Sequence, residues 1–166
     1  MSNVHPVPRK PSGFSLIEAL VAMVVVAVGL LGLAAMITAG LRSNQIAALQ
    51  GLAAIDSENI TGLMAANPAG VEAGNYIISA LPTSAPGNLC ESETAPCSPS
   101  EEAQADLWSF AETLQNNLPD PAAQIQCAVP CSSTGNTPIV VTVSWSTVTP
   151  NGKTQSQATY STVYQP

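Results

Sequence analysis

Hydrophobic and polar positions along this chain follow three different periods. Residues 19–41 are 23 consecutive residues without a charge. At a rise of about 1.5 Å per residue, a helix of that length crosses a hydrocarbon core of about 30 Å. From residue 46 the apolar side chains thin to a stripe, Ile46, Leu49, Ala53, Ile60 and Leu63, at three-, four- and seven-residue intervals, with Leu52 and Ile55 widening it. No proline separates Phe14 from Asn67, so both regimes predict one helix over residues 15–66, roughly 80 Å long. Asn67-Pro68 and Gly70 end it.

Residues 67–99 are rich in Pro, Gly, Ser and Ala and read as loop, with a short strand at 76–79. Ser98-Pro99-Ser100-Glu101 then carries a capping serine, a proline for the first helical position and a glutamate behind it. The helix that follows has Ala103, Leu107, Phe110, Leu114 and Leu118 on one face, and Pro119 stops it. Glu102, Asp106 and Glu112 form an opposite row, expected to face water.

Beyond residue 124 the period becomes two. Ile125, Cys127 and Val129 make a first run, and Ile139, Val141, Val143 and Trp145 alternate with Val140, Thr142, Ser144 and Ser146 in a second. Pro150-Asn151-Gly152-Lys153 is a turn signal, and a Thr- and Tyr-rich strand returns over 155–164. An antiparallel meander of three strands is the expectation, so the fold class is α+β.

Composition narrows the function. The 166 residues leave room for one anchored helix and one small domain. A net charge of -7 from four basic and eleven acidic residues opposes nucleic-acid binding, which needs clustered cations. Arg9 and Lys10 precede the apolar stretch, leaving Arg42 and Lys153 for everything after it. The single histidine, His5, stands at the N-terminal end, away from any serine or cysteine nucleophile motif, and there is neither a phosphate-binding G-x-x-x-x-G-K-[ST] loop nor H-E-x-x-H. No catalytic residue, cofactor or metal is therefore expected.

Cys90, Cys97, Cys127 and Cys131 all follow the long helix. An even count in an exported domain favours two disulfides, because zinc usually takes tighter pairs than C-x6-C and C-x3-C. Three connectivities are possible, and the local ones, Cys90 with Cys97 and Cys127 with Cys131, are favoured.

The N-terminal end holds the sharpest signal. Residues 1–12 contain three prolines and the Arg9-Lys10 pair, and the small residue Gly13 precedes the apolar run. A secretory signal would place its cleavage site after that run. Basic residues on the N-terminal flank favour a cytoplasmic leader and an exported remainder. Ser15-x-x-Glu18 fits a capping box, and a carboxylate suits the positive end of a helix dipole. An acidic side chain at the mouth of a membrane helix nevertheless needs a partner.

Gly13-Phe14-Ser15-Leu16-Ile17-Glu18 resembles the class III signal of type IV prepilins, G-F-[ST]-L-[IL]-E. The resemblance implies cleavage between Gly13 and Phe14 by a prepilin peptidase and N-methylation of the new Phe14 amine. It also implies an assembly role for Glu18, set against the terminal amine of a neighbouring subunit. Further along, the segments 29–34 and 64–70, then Cys97-Ser98-Pro99, Leu118-Pro119 and the V-T-V-x-W of residues 141–145, are similar to PilV-type minor pilins, also described as type IV pilus modification proteins. Phe110 stands where a Trp is more usual in that group, and Ala65 where an Arg is common.

What the resemblance implies is a leader at 1–13, a transmembrane and assembly half-helix at 14–41, an amphipathic half at 42–67 and a pilin head at 68–166. The expected product is a non-enzymatic minor pilin, single-pass in the bacterial inner membrane with its head in the periplasm, and extracellular once in a pilus. Its partners would be the prepilin peptidase, other major and minor pilins, the inner-membrane assembly machinery and the membrane itself. Two rivals use the same features, a minor pseudopilin of a type II secretion system and a signal-anchored periplasmic binding domain.

Overall fold

A computed structural model describes residues 13–90, 96–130, 137–148 and 155–166. Three helices and three strands follow one another: α1 (Leu16–Ala66), α2 (Pro68–Glu72), α3 (Pro99–Asn117), β1 (Ala122–Cys127), β2 (Ile139–Val148) and β3 (Gln155–Tyr164). The chain divides into two compact units, residues 1–44 and residues 45–166. The first unit contains the apolar half of α1 and the second contains the rest of that helix with the α+β head.

The head is a long helix on a small antiparallel sheet with a further short helix. The sheet has the order β1-β2-β3, with both neighbours antiparallel. Cys127 pairs with Ile139 and Ala122 with Ser144, while Ile139 pairs with Tyr164 and Trp145 with Ala158. The alternation of β2 sends Ile139, Val141, Val143 and Trp145 into the core, as the two-residue period requires. Ala123 and Ile125 of β1 meet them from the same face. Against that face pack Ala53, Ile60 and Met64 of α1 and the Ala103, Leu107, Phe110 and Leu114 stripe of α3. The Trp145 indole Nε1 is buried without an acceptor among the described residues.

Local chemistry accounts for the helix ends. Ser98 caps α3 in a full capping box: its hydroxyl accepts from the Glu101 amide, and the Glu101 carboxylate accepts from the Ser98 amide at 2.9 Å. Asn67 caps α2 by accepting from the Gly70 amide at 3.0 Å. Behind α2 the chain closes a Schellman motif, with Asn75 N–H donating to the Gly70 carbonyl and Gly74 N–H to the Val71 carbonyl, both at 2.9 Å. Gly74 takes the left-handed position at φ 75°, where a side chain would be strained.

Four expectations from the sequence change. The buried line of α1 is Ala53, Asp56, Ser57, Ile60 and Met64, while Ile46, Ile55 and Leu63 stay exposed. The helix thus turns the small residues Ala53 and Ser57, both fully buried, towards the core. Asp106 does not belong to a solvated row, being half-buried and hydrogen-bonded to Tyr76. Val129 lies beyond β1, which starts at Ala122 and ends opposite the first residue of β2, so residue 129 has no strand to pair with. The strand foreseen at 76–79 is a single bridge, Ile78 to Ile125, on the outer edge of β1. The turn at 150–153 and the leader residues 1–12 lie outside the described residues.

Candidate functional site

The start of α1 gathers three of the residues singled out from sequence. Gly13, Phe14 and Ser15 precede the first helical residue, Leu16, and Glu18 stands in the first turn. The Ser15 carbonyl accepts from the amides of Glu18 at 3.0 Å and Ala19 at 3.2 Å, so the backbone turns into the helix at Ser15. The contacts described here are backbone ones, in contrast to the reciprocal side-chain box of α3. Phe14 is 83% exposed and the Glu18 carboxylate faces outward. Gly13, Phe14 and Glu18 are all exposed to solvent.

From this turn to Leu41, none of the described residues is buried, and Arg42 is the first that is half-buried. Every large apolar side chain between Phe14 and Leu41 is at least 54% exposed. Such a surface is far larger than the apolar patches of soluble monomers. Lipid or other helices must take it out of water, and α1 is long and apolar enough to cross a membrane. Gly29, Gly32 and Gly40 have open space where a Cβ would stand, so within the single chain they serve no close packing.

In the head, Cys90 and Cys97 are joined by a disulfide with a Cα–Cα distance of 5.7 Å. Asn88 braces it, accepting from the Cys90 amide at 3.0 Å and donating to Cys97 Sγ at 3.3 Å. Cys97 directly precedes the Ser98 cap, so the bridge holds the start of α3. Cys127 is half-buried at the end of β1. Cys131, and with it the expected Cys127–Cys131 pairing, lies outside the described residues.

Two polar groupings escaped the reading of the sequence. In the first, Asn67 Nδ2 donates to the Tyr76 hydroxyl at 3.2 Å and to the Pro99 carbonyl at 2.8 Å, while Tyr76 donates to Asp106 Oδ2. Burial, reinforced by the hydrogen bond to Asp106, pushes the Tyr76 phenol well above its ordinary value. In the second, Asp56 on α1 is 3% exposed and accepts from Nδ2 of Asn117, the last residue of α3, at 3.0 and 3.3 Å. One sequence signal could have found it: Asp56 lies three residues after Ala53 and four before Ile60, on the core line of an otherwise apolar period. Among the described residues no three His, Cys, Asp or Glu side chains converge as a metal site.

Residues 8–34 match the family model of the prokaryotic N-terminal methylation motif. The match spans the Gly13-Phe14 junction, Glu18 and the apolar run as far as Ala34. No characterised protein and no solved structure matches the chain. Motif and architecture together support a type IV pilin- or pseudopilin-like protein, and the exposed apolar helix is consistent with a single-pass membrane anchor.

Proposed function

We propose that this chain is a minor pilin of the PilV type, a structural subunit without catalytic activity that supports assembly of a type IV pilus. The observation that carries this reading is a coincidence in one stretch. The methylation motif at 8–34 overlies the part of α1 whose described residues are all exposed. A signal of this kind on a helix that needs external cover suits a subunit that waits in the inner membrane and then moves into a bundle of like helices.

On this reading residues 1–13 are a cytoplasmic leader removed by prepilin peptidase. Phe14 becomes the methylated N-terminus, 14–41 anchor and assemble, 42–67 join the head, and 68–166 lie in the periplasm and later on the filament. The Glu18 carboxylate answers the Phe14 amine of a neighbouring pilin. A carboxylate in a water-poor bundle is tolerated when a cation sits against it, whereas removal of either member strands a charge.

N-terminal mass spectrometry of the protein purified from its own host tests the proposal. The expected mature chain begins at methylated Phe14. An intact Met1, or cleavage after the apolar run, would exclude it. Deletion that leaves piliation unchanged, with co-purification of secretion-system components, would assign the same processed chain to a pseudopilus instead.

A further inference from the structure

We propose that the buried Asp56 carboxylate is a docking point for one lysine or arginine side chain of a different pilin subunit. The inference rests on the assembly role argued above. Asp56 is 97% removed from solvent, yet among the described residues its two oxygens share one neutral donor, Asn117 Nδ2. An ionised carboxylate offers about four acceptor sites, and a buried one is costly unless it is both hydrogen-bonded and paired with a cation.

The carboxylate is not sealed in. It lines a cavity of about 110 Å³ between α1 and α3, together with Asn59, Leu63, Ser109, Phe110 and Thr113. The Thr113 hydroxyl donates to the Ser109 carbonyl at 2.8 Å, which leaves its oxygen to the cavity side as an acceptor. With Asp56 beside it, the polar wall calls for donors and positive charge. The cavity volume is well above the minimum that admits one water, so the space has room for the tip of a long basic side chain. Leu63, 38% exposed, lines it on α1 and gives apolar surface to the stem of such a side chain.

This chain is itself poor in cations. Beyond residue 13 the chain holds two basic residues against eleven acidic ones. A divalent ion is disfavoured because Asp56 is the one acidic residue lining the cavity and, among the described residues, no cluster of metal-ligating side chains accompanies it. Charge complementarity therefore selects a basic side chain on a more cationic neighbour.

The test uses the full-length protein in its host, with a benzophenone-bearing residue in place of Leu63. Irradiation is expected to cross-link it to one other pilin, within a few residues of a Lys or Arg. Asp56→Asn, which preserves shape and the Asn117 contact, should reduce that cross-link and the recovery in sheared filaments by about tenfold or more. Replacing the mapped base by Gln in the partner should do the same, and the double variant should be no worse than either single one. This second arm leaves the present chain unaltered, so it decides the matter even if Asp56→Asn lowers the membrane pool. A cross-link to a segment without Lys or Arg, or to a second copy of this chain, overturns the proposal, as does normal recovery of both variants. If the wild-type chain is absent from filaments altogether, the assembly reading itself fails. If it is present and only the Asp56 effects are missing, this inference alone falls.

Discussion

The Tyr76 hydroxyl donates to Asp106 across thirty residues of sequence, joining the turn after α2 to the middle of α3. Asn67 completes the arrangement from the end of α1, with one amide donating to Tyr76 and to the Pro99 carbonyl while its oxygen caps α2. Three helices thus meet at one set of hydrogen bonds on the rim of the core. Loss of a partner here leaves a buried donor or acceptor unsatisfied, which costs about 1–3 kcal/mol.

Tyr76→Phe should accordingly lower head stability by about 1–3 kcal/mol in thermal or urea unfolding, with secondary structure unchanged. Gly70→Ala should act on the same spot by another route. A Cβ at residue 70 would stand 2.5 Å from Asn67 Nδ2, and that side chain cannot swing aside without releasing its bonds. Overpacking of this kind costs about 1–3 kcal/mol. If either variant matched wild type, the network would have no stabilising role.

The same bonds make stability fall in alkali. The Tyr76 phenol is held protonated above its ordinary value of 10.0, chiefly by burial. A group whose native pKa is raised contributes fully below its unfolded pKa and loses that contribution as pH climbs past it. Ultraviolet titration should show one of the three tyrosines still protonated above pH 10. Unfolding should coincide with its ionisation, and Tyr76→Phe should abolish the late step.

At the start of α3 the dependence has the opposite sense. Hydrogen bonds from the Ser98 hydroxyl and amide hold the Glu101 carboxyl below its usual 4.5. The cap is intact at neutral pH and is lost as pH falls from about 4.5 through the depressed value. Ser98→Ala should cost about 1 kcal/mol at neutral pH. The difference from wild type should shrink in acid, as measured by urea midpoints across that range.

What was legible in the sequence was local. The Ser98-Glu101 cap, the α3 stripe and the alternation of β2 each depend on residues within a turn or a strand of one another, and the 13–18 signal occupies six adjacent positions. The orientation of α1 was less legible, because Ile55 and Leu63 fit a helical period as well as Ala53 and Ile60 do. The sheet and α3 decide which face is covered, and they select small and polar residues, including Asp56 and Ser57. Tyr76 with Asp106, and Asp56 with Asn117, join positions 30 and 61 residues apart. The spacing of Asp56 from Ala53 and Ile60 could have flagged its burial, but no local pattern announces which distant residue either acidic side chain meets.

Oxidation should matter to the head because the Cys90–Cys97 bridge closes its loop immediately before the α3 cap. Loop-closure entropy for so short a ring gives about 2.5 kcal/mol of stabilisation. The double variant Cys90→Ser, Cys97→Ser should lose about that much. Hydrogen exchange should show the loss first at the amides of Glu101 and Glu102, which donate to Ser98, while β2 and β3 keep their protection. Uniform loss across the sheet would show that the bridge supports the whole head rather than this end.

Glu18 has two possible roles, and one substitution separates them. As a cap it serves its own helix by accepting from backbone amides, which a glutamine can do nearly as well. As half of an ion pair with a neighbour's Phe14 amine it must be charged, and a glutamine there leaves the amine stranded. Breaking a buried pair costs about 3–5 kcal/mol, a loss of roughly a hundredfold or more in an assembly equilibrium. Glu18→Gln should therefore be inserted, and cleaved at Gly13-Phe14, at wild-type levels, with α1 helicity retained. Quantitative immunoblots should find it in sheared filaments at no more than about a hundredth of the wild-type ratio to the membrane pool. Recovery near wild type for Glu18→Gln, combined with loss for Glu18→Ala, would mean that the carboxylate caps its own helix and that some other contact registers the subunits.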